Sequence, residues 1–337
     1  MSWQPFSEQE TGQAWDVLLQ SACDHNPFQS SAWGRYKQEL GWQPQRWIAR
    51  GKEDRIVASV QVLKRSLPFG RSLLWAPGGP VIGYPVSDPE NLKNLLEEGI
   101  REIAVANRAL YARFYSLYPS GQETAGPVSV RLAAPRRRLG SGVTVQLNLT
   151  PSLDELQKQM TGKHRSLVRR STSDGLRWRW GATNLLAADL GRVHAEMARA
   201  KRVCAADTGD LRRLLSNFRD HALILVGHHG AAAVTACLVL LEGKSAFYWR
   251  AATTREGREI SATYGMVLKL WELLKSRGIE RFDFGGLLPG VPSAAGINHF
   301  KEGFGGKRVA YLGEWEWASS FWIGWGVNAW LAGRRPW

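Results

Sequence analysis

Ile279-Glu280-Arg281-Phe282-Asp283-Phe284-Gly285-Gly286, then a short loop, then Gly296-Ile297-Asn298-His299-Phe300-Lys301-Glu302-Gly303-Phe304-Gly305-Gly306, is the stretch that decides the reading of this chain. A run with helical spacing leads in from Tyr264 and ends at Gly278. A strand follows through Phe284, and Gly285-Gly286 breaks it. Seven Gly fall between Gly285 and Gly306. Glycine permits positive φ and close approach of backbone to a ligand. A lone Lys301 stands between Phe300 and Phe304. A Lys in such a pocket can meet developing negative charge where water is scarce.

Upstream of this stretch, Ala222 to Val226, Ala232 to Leu241 and Lys244 to Ala251 read as an antiparallel meander. Before it come helices at Leu190 to Ala200 and Gly209 to Asp220, a strand at Leu176 to Trp180 and a very basic helix at Lys163 to Thr172. Ser152, with Glu155 three residues later, marks a capping box at the start of a helix running to Met160. Val143 to Leu149 alternates as a strand. The segment from Ser120 to Gly142, rich in Gly, Pro and Arg, reads as a boundary.

The first part of the chain has the same order. Helical spacing covers Gly12 to Cys23 and Ser30 to Leu40. Strands are expected at Trp42 to Ala49, Arg55 to Leu63 and Ser72 to Trp75, with a firm turn at Pro77 to Pro80. Asn91 to Asn107 carries Leu92, Leu95, Leu96, Ile100 and Ile103 on one face, and Tyr111 to Tyr118 closes as a strand at Pro119. No residue-level repeat is visible, only the repeated order. The expected fold is α/β (α+β): two domains, each a mixed, largely antiparallel sheet flanked by helices. The first takes residues 1–142 plus 317–337, and the second residues 143–316. Acyltransferases of the GNAT type have this plan.

The 44 basic and 30 acidic residues leave a formal charge of +14, which suits anionic partners such as nucleic acid, phosphorylated substrates or an anionic membrane face. Cys23, Cys204 and Cys237 are far apart and show no CxxC spacing, so neither a disulfide framework nor a metal site is implied. The opening Met-Ser-Trp-Gln-Pro does not read as a signal peptide, and no run of 18 apolar residues occurs. The expectation is a cytoplasmic protein with reduced thiols.

Two further motifs carry charge. Asn26 to Lys37 places Gln29, Ser30, Trp33, Arg35 and Lys37 at the start of a helix, ahead of Gly41-Trp42. Lys37 either reaches an anion or is solvated beside a Trp anchor. Lys163-His164-Arg165-Ser166-Leu167-Val168-Arg169-Arg170 puts Arg165 and Arg169 four apart, on one helix face. Like charges at that spacing repel, so an anion between them would compensate, and Arg suits phosphate through its planar fork. A solvated basic face is the competing reading.

Taken together, these pieces resemble the FemABX family of non-ribosomal peptidyltransferases, which build peptidoglycan cross-bridges. The resemblance runs through Phe28-Gln29-Ser30 to Trp33, Lys37 and Gly41-Trp42; Lys163 to Arg170 with Gly175; Tyr264 through Leu268 and Trp271; Gly278 to Gly286; and Gly296 to Gly306. It implies two GNAT-like domains and transfer of an amino acid from aminoacyl-tRNA to the stem-peptide amine of a precursor, UDP-MurNAc-peptide or lipid II. Aminoacyl-tRNA would be the co-substrate, with no other cofactor and no metal. By the same resemblance, Lys37 and an Arg of the basic helix, Arg169 first, then Arg165 or Arg170, hold the precursor's diphosphate. Lys301, after Phe300, stabilises charge at the transferred carbonyl, and Tyr248 and Tyr264 line the acceptor channel. Two features depart from the family. Some members carry an acidic residue just before the Pro that closes the first domain's last strand, where this chain has Tyr118. The coiled-coil insertion of some members has no counterpart, because no heptad run exists here.

The chemistry fits these residues. An aminoacyl ester is already activated, so no phosphate-binding loop or HExxH is needed, and none is found. Attack by an amine passes through a tetrahedral oxyanion, which Lys301 or nearby backbone N–H groups could stabilise. Asp283 is a candidate general base, with a structural role at the Gly-Gly turn as its alternative. His299, beside Phe300, is a candidate for the acceptor pocket. His164 could join the anion site, and His228-His229 reads as a surface turn. Trp315, Trp317, Trp322, Trp325, Trp330 and Trp337 crowd the end of the chain. They read as a final strand and helix packed on the first domain, with peripheral contact at the inner face of the plasma membrane as a compatible role. A monomer is expected. Two other functions fit less well: a GNAT-like N-acyltransferase using acyl-CoA, for which Arg255 to Ile260 is a poor phosphate loop, and a non-catalytic binder of tRNA or cell-wall precursor.

Overall fold

The computed structural model describes residues 2–7, 15–51, 54–83, 89–120, 139–173, 175–201 and 203–332. The expectations for 12–14, for most of the 120–142 boundary and for Trp337 lie outside the described residues. The chain divides into two compact units, Met1–Val143 with Val309–Pro336, and Thr144–Arg308.

The first unit runs β1 (Ser2–Pro5), α1 (Trp15–Gln20), α2 (Ser31–Gln38), β2 (Gln43–Arg50), β3 (Ile56–Leu67), β4 (Arg71–Gly78), β5 (Val81–Ile82), α3 (Pro89–Ala106) and β6 (Ala109–Pro119). The second holds β7 (Val143–Asn148), α4 (Leu153–Gln159), α5 (Gly162–Ser173), β8 (Arg177–Gly181), α6 (Asn184–Lys201), α7 (Thr208–Phe218), β9 (Ala222–His229), β10 (Ala232–Glu242), β11 (Ser245–Thr253), α8 (Arg255–Glu259), α9 (Ala262–Ser276), β12 (Arg281–Gly286) and α10 (Ala295–Glu302). β13 (Lys307–Ala318) and α11 (Phe321–Ala332) return to the first unit.

Each unit builds its sheet in the same way. In the first, β2, β3 and β4 form an antiparallel meander, α3 crosses over, and β6 returns parallel to β4. In the second, β9, β10 and β11 form the meander, α9 crosses over, and β12 returns parallel to β11. A final antiparallel strand completes each: β13 beside β6, and β7 beside β12. The mixed, largely antiparallel sheets follow from hairpin-length connections, with one helix-length crossover per unit forcing a parallel pair.

Burial explains the elements. On α3, Leu92, Leu95, Leu96, Ile100 and Ile103 are all buried against Val60, Val62, Phe114 and Trp315 of the sheet. Consecutive buried residues, Leu223 to Val226 on β9 and Cys237 to Leu240 on β10, make these strands apolar on both faces, as strands covered on both sides must be. The capping box forms as the sequence reads: Ser152 Oγ accepts from Glu155 N at 3.3 Å, and Ser152 N donates to the Glu155 carboxylate at 2.8 Å. Each reciprocal bond satisfies a donor that a helix start leaves unpaired.

The sequence assigns no element to the segment around Lys301; in the structure residues 295–302 form helix α10. Its helical geometry is completed by packing: Thr161 N donates to Gly303 O at 2.9 Å, just past the helix end.

Candidate functional site

The parallel pair β11–β12 stays in register only from Ser245 opposite Arg281 to Phe247 opposite Asp283. Beyond that the two strands part, and the last carbonyls of β12 lose β11 as a ladder partner. Lys301, at the end of α10, takes them: its Nζ donates to Gly285 O at 3.1 Å and Gly286 O at 2.6 Å. Gly285 has φ of 73°, and a Cβ there would stand 3.2 Å from the Tyr248 carbonyl oxygen. Only glycine gives both the left-handed turn and that approach without strain. Burial pulls the Lys301 ammonium down to about 8, opposed by the nearby Asp283 carboxylate. At pH 7 it is still mostly cationic, in a site that solvates it poorly.

Asp283 is buried, and its carboxylate accepts from three donors: Thr144 Oγ1 at 2.5 Å, Gly285 N at 2.7 Å and Gln146 Nε2 at 3.0 Å. These bonds tie β7 to β12 and hold the Gly285 turn. Thr144 and Gln146 were not singled out from the sequence. Their only local signal is the alternation of β7, which puts both on one face.

An aromatic framework fixes α10. Phe304 is fully buried, stacked on Phe284 at 5.4 Å between ring centres, with Trp271 at 5.6 Å and Tyr264 at 5.9 Å. Phe300 meets Tyr264 at 5.3 Å. Tyr248, on β11, sets its ring edge-on to Phe282 and Phe284. Its hydroxyl is buried without a hydrogen-bond partner. Burial raises the pKa of both Tyr248 and Tyr264, so both stay neutral phenols. His299 is exposed, with its ring 5.7 Å from that of His164.

His164 departs from expectation. It stands between Lys163 and Arg165 in sequence, yet it is fully buried. Its Nδ1 lies 2.9 Å from Thr161 Oγ1 and its Nε2 3.0 Å from the Phe300 carbonyl oxygen. A carbonyl can only accept, so Nε2 carries the proton and Nδ1 accepts from Thr161. Burial lowers its pKa, which favours this neutral form. His164 therefore positions α10 rather than adding a charge to the basic face. The spacing His164, Val168, Ser171, all buried, is the signal that could have revealed it.

The glycines after Lys301 are also explained by packing on the chain itself. A Cβ on Gly303 would fall 1.9 Å from His164 Cε1, and one on Gly305 would fall 2.6 Å from Gln159 O. These residues admit the α4–α5 junction, not a ligand.

The exposed face of α5 carries Lys163, Arg165, Arg169 and Arg170. Arg165 Nη1 turns back to the carbonyls of Lys158 at 3.2 Å and Met160 at 2.5 Å, closing α4. Arg170 Nη2 donates to Glu259 O at 2.9 Å. In the first unit, Lys37 Nζ lies 4.7 Å from the ring centres of Trp33 and Tyr36 and 5.4 Å from that of Trp75. The motif ahead of it is a clasp. Gln29 Nε2 donates to Pro77 O at 2.9 Å, Gln29 Oε1 accepts from Gln61 N at 2.6 Å, and Asn26 Nδ2 donates to Gly78 O at 2.8 Å. It binds the start of α2 to the middle of β3 and the end of β4, and so fixes where Lys37 is presented. Lys37 and the α5 arginines belong to different units, and each set is placed within its own unit.

No cluster of His, Cys, Asp and Glu able to hold a metal occurs among the described residues. Among the same residues, no helix is long and apolar enough to cross a membrane.

The sequence from the middle of β9 to just before α11 matches a known family model, described as the FemAB family. The match covers residues 226–320. The matched segment contains Tyr248, Tyr264, Asp283, His299, Phe300 and Lys301, while Lys37, Arg165, Arg169 and Arg170 lie outside it. No curated protein sequence matches the chain. Solved structures do. The crystal structure of FemX superposes with a TM-score of 0.78 at 14% identity, covering 97% of this chain and 100% of that one. A tandem GNAT protein from the clavulanic acid biosynthesis pathway gives 0.55 at 13% identity, covering 95% and 98%. The C-terminal domain of a putative lysylphosphatidylglycerol synthetase from Agrobacterium fabrum gives 0.55 at 15%, covering 94% and 97%. At these identities the likeness is one of fold. The fold is α/β, a tandem of GNAT-like units like the one outlined from the sequence.

Proposed function

We propose that this chain is an aminoacyltransferase of the FemABX type, moving an amino acid from aminoacyl-tRNA to the stem-peptide amine of a peptidoglycan precursor. The observation that carries the reading is Lys301 at the parting of β11 and β12. An ammonium has three donors, and Gly285 O and Gly286 O take two of them. The third is left to meet an oxyanion, in a setting that already places the charge and keeps water sparse.

The reaction balances without a further reagent. The acceptor amine nitrogen bonds to the ester carbonyl carbon, and the carbonyl oxygen becomes the oxyanion that Lys301 faces. As the intermediate collapses, the ester C–O bond breaks, and the amine's proton ends on the released ribose hydroxyl. Asp283 acts in this reading through the turn it holds and through its charge on Lys301. Lys37 in its aromatic surround and Arg169 on the exposed face of α5 are, each within its own unit, the candidates for the precursor's diphosphate.

An acyl-CoA reading has less support in the second unit. Between β11 and α9, where backbone N–H groups would cradle a pyrophosphate, the chain forms α8 instead. Its donors are taken internally: Gly257 N by Thr254 Oγ1, Arg258 N by Thr254 O, Ile260 N by Glu256 O and Ser261 N by Arg258 O. Glu196, Glu256 and Glu259 line the adjoining cleft and would repel a polyanion.

The test is incubation with a mixed pool of charged tRNAs and either UDP-MurNAc-peptide or lipid II, with acyl-CoA in a parallel arm. The expected result is an acceptor heavier by an aminoacyl residue in the tRNA arm alone. Failure of every amino acid with both acceptors overturns the proposal. Product from acyl-CoA alone replaces it with the other transfer.

A further inference from the structure

We infer that one edge of the first unit is a docking surface for an anionic lipid bilayer. It is formed by the outer face of α11, the tip of the β3–β4 hairpin and the α3–β6 turn. The inference is independent of which acyl donor the chain uses.

Helix α11 is held by its polar side. Asn328 is buried, and its Nδ2 donates to the Glu316 carboxylate at 3.0 and 2.9 Å and to Gly324 O at 2.9 Å. Ile323, Gly324, Val327 and Leu331 share that inner half of the helix and are half-buried. The outer half carries Phe321, Trp322, Trp325 and Trp330, exposed by 68, 75, 51 and 55%. Between Trp317 and Ala332 there is no charged residue. A helix fixed at the surface of a protein in water would normally turn a charged face outward. This one turns three Trp and a Phe. With 12 residues it is about 18 Å long, too short to span a bilayer of about 30 Å, but suited to lie in its interface.

The neighbouring strand ends add to the same edge. Ser72 at the start of β4 pairs with Ala109 at the start of β6, Tyr111 pairs with Ala318 at the end of β13, and Ser319 N donates to Leu110 O at 2.9 Å. The hairpin tip before β4, the turn before β6 and the start of α11 therefore lie on adjacent strands, within about 10 Å of one another across the sheet. The hairpin tip is Phe69, 94% exposed. It has φ of 59°, the left-handed region that a bulky aromatic avoids. A strained, solvent-exposed Phe gains nothing inside the fold, and such strain collects where a surface is used. Arg71 and Arg108 flank it, both exposed, with the Arg108 guanidinium reaching within 3.4 Å of where a Cβ on Gly70 would lie. Residues 64–72, 103–111 and 317–332 contain no Asp or Glu, while Lys64, Arg65, Arg71 and Arg108 contribute four positive charges.

This combination selects the occupant. A protein partner or a second copy could cover apolar rings, but an edge of interfacial Trp bordered by Arg and free of acids, on a chain of charge +14, matches an anionic lipid surface.

The experiment is co-sedimentation of the full chain with vesicles of phosphatidylethanolamine and phosphatidylglycerol, against vesicles of phosphatidylcholine alone. The wild type should pellet with the anionic vesicles and be released by salt. Trp322→Ser/Trp325→Ser/Trp330→Ser should weaken binding by about tenfold or more, and Phe69→Ser should weaken it without touching α11. Arg71→Gln/Arg108→Gln should weaken binding to anionic vesicles alone, by roughly fivefold for each lost charge. The inference is overturned if the wild type stays in the supernatant, if the triple-Trp variant or Phe69→Ser binds as the wild type does, or if both lipids bind equally. Self-association abolished by the triple-Trp variant, without vesicle binding, would assign the edge to a second copy instead and also overturn it.

Discussion

Lys301 Nζ donates to Gly286 O at 2.6 Å, so the ammonium at the end of α10 stands in for the ladder partner that β12 loses where β11 departs. The contact ties the proposed electrophilic group to the sheet itself.

The rate should depend on Lys301 being cationic. Its folded value is about 8, so turnover should fall as pH rises through about 8. Lys301→Met should lower kcat by about a hundredfold or more, the scale of losing one oxyanion donor, with KM for the acceptor little changed. Lys301→Arg should move the high-pH limb upward. Steady-state kinetics across pH would check both. Unfolding should show the linked effect. The folded value lies below the ordinary 10.5, so between about 8 and 10.5 the unfolded chain binds more protons, and this group's contribution makes stability rise with pH over that window. Below the window the penalty of a poorly solvated ammonium is fully present. Denaturant midpoints of the wild type and Lys301→Met should converge as pH rises through it.

Asp283→Asn should shift the same rate limb to lower pH, because the Asp283 carboxylate is what holds the Lys301 pKa up against burial. Asp283→Ala should also cost about 1–3 kcal/mol of stability, since it removes the acceptor of the buried Thr144 hydroxyl. A kinetic pH series with thermal melts reads both effects.

Gly303→Ala should destabilise the second unit by about 1–3 kcal/mol, since its methyl would overlap the His164 ring. Adding His164→Ala should recover part of that loss. A double-mutant cycle by denaturant titration would measure the coupling.

Arg113→Met should be among the most damaging changes in the first unit, at about 3–5 kcal/mol. Arg113 Nε meets Glu314 Oε1 at 2.5 Å inside the protein, and Glu314 also accepts from Leu139 N and Gly140 N. Removing the guanidinium leaves a buried carboxylate without its counter-charge. Tyr111, which donates to Glu316 at 2.7 Å and is pushed well above the ordinary phenol range by burial, remains neutral throughout. Chemical denaturation would give the size of the loss.

The elements legible in the sequence are those whose signals are local. Ser152 and Glu155 announce a capping box in four residues, and the Leu92 to Ile103 spacing announces a buried helix face. Helix α10 was not legible: Gly296 and Gly303 frame it, and its hold on the protein comes from Phe300 and Phe304 meeting rings twenty or more residues away on α5, α9 and β12. His164 looked like part of a cationic run because Lys163 and Arg165 adjoin it. Only its place on the inner face of α5 makes it a neutral hinge pin.

By itself, the sequence determined most of the order of helices and strands in each unit, the capping and turn positions, the net positive charge, and the Gly-rich, aromatic stretch around Gly285 and Lys301. These depend on periodicity and local backbone chemistry, which neighbouring residues carry. Only the tertiary structure decided that Lys301 completes the end of β12, that three donors occupy Asp283, and that α11 turns its Trp face outward while Asn328 anchors it. Each of those depends on burial and on hydrogen bonds between residues distant in the chain, and a Lys, an Asp or a Trp looks the same in sequence whichever partner the fold brings to it.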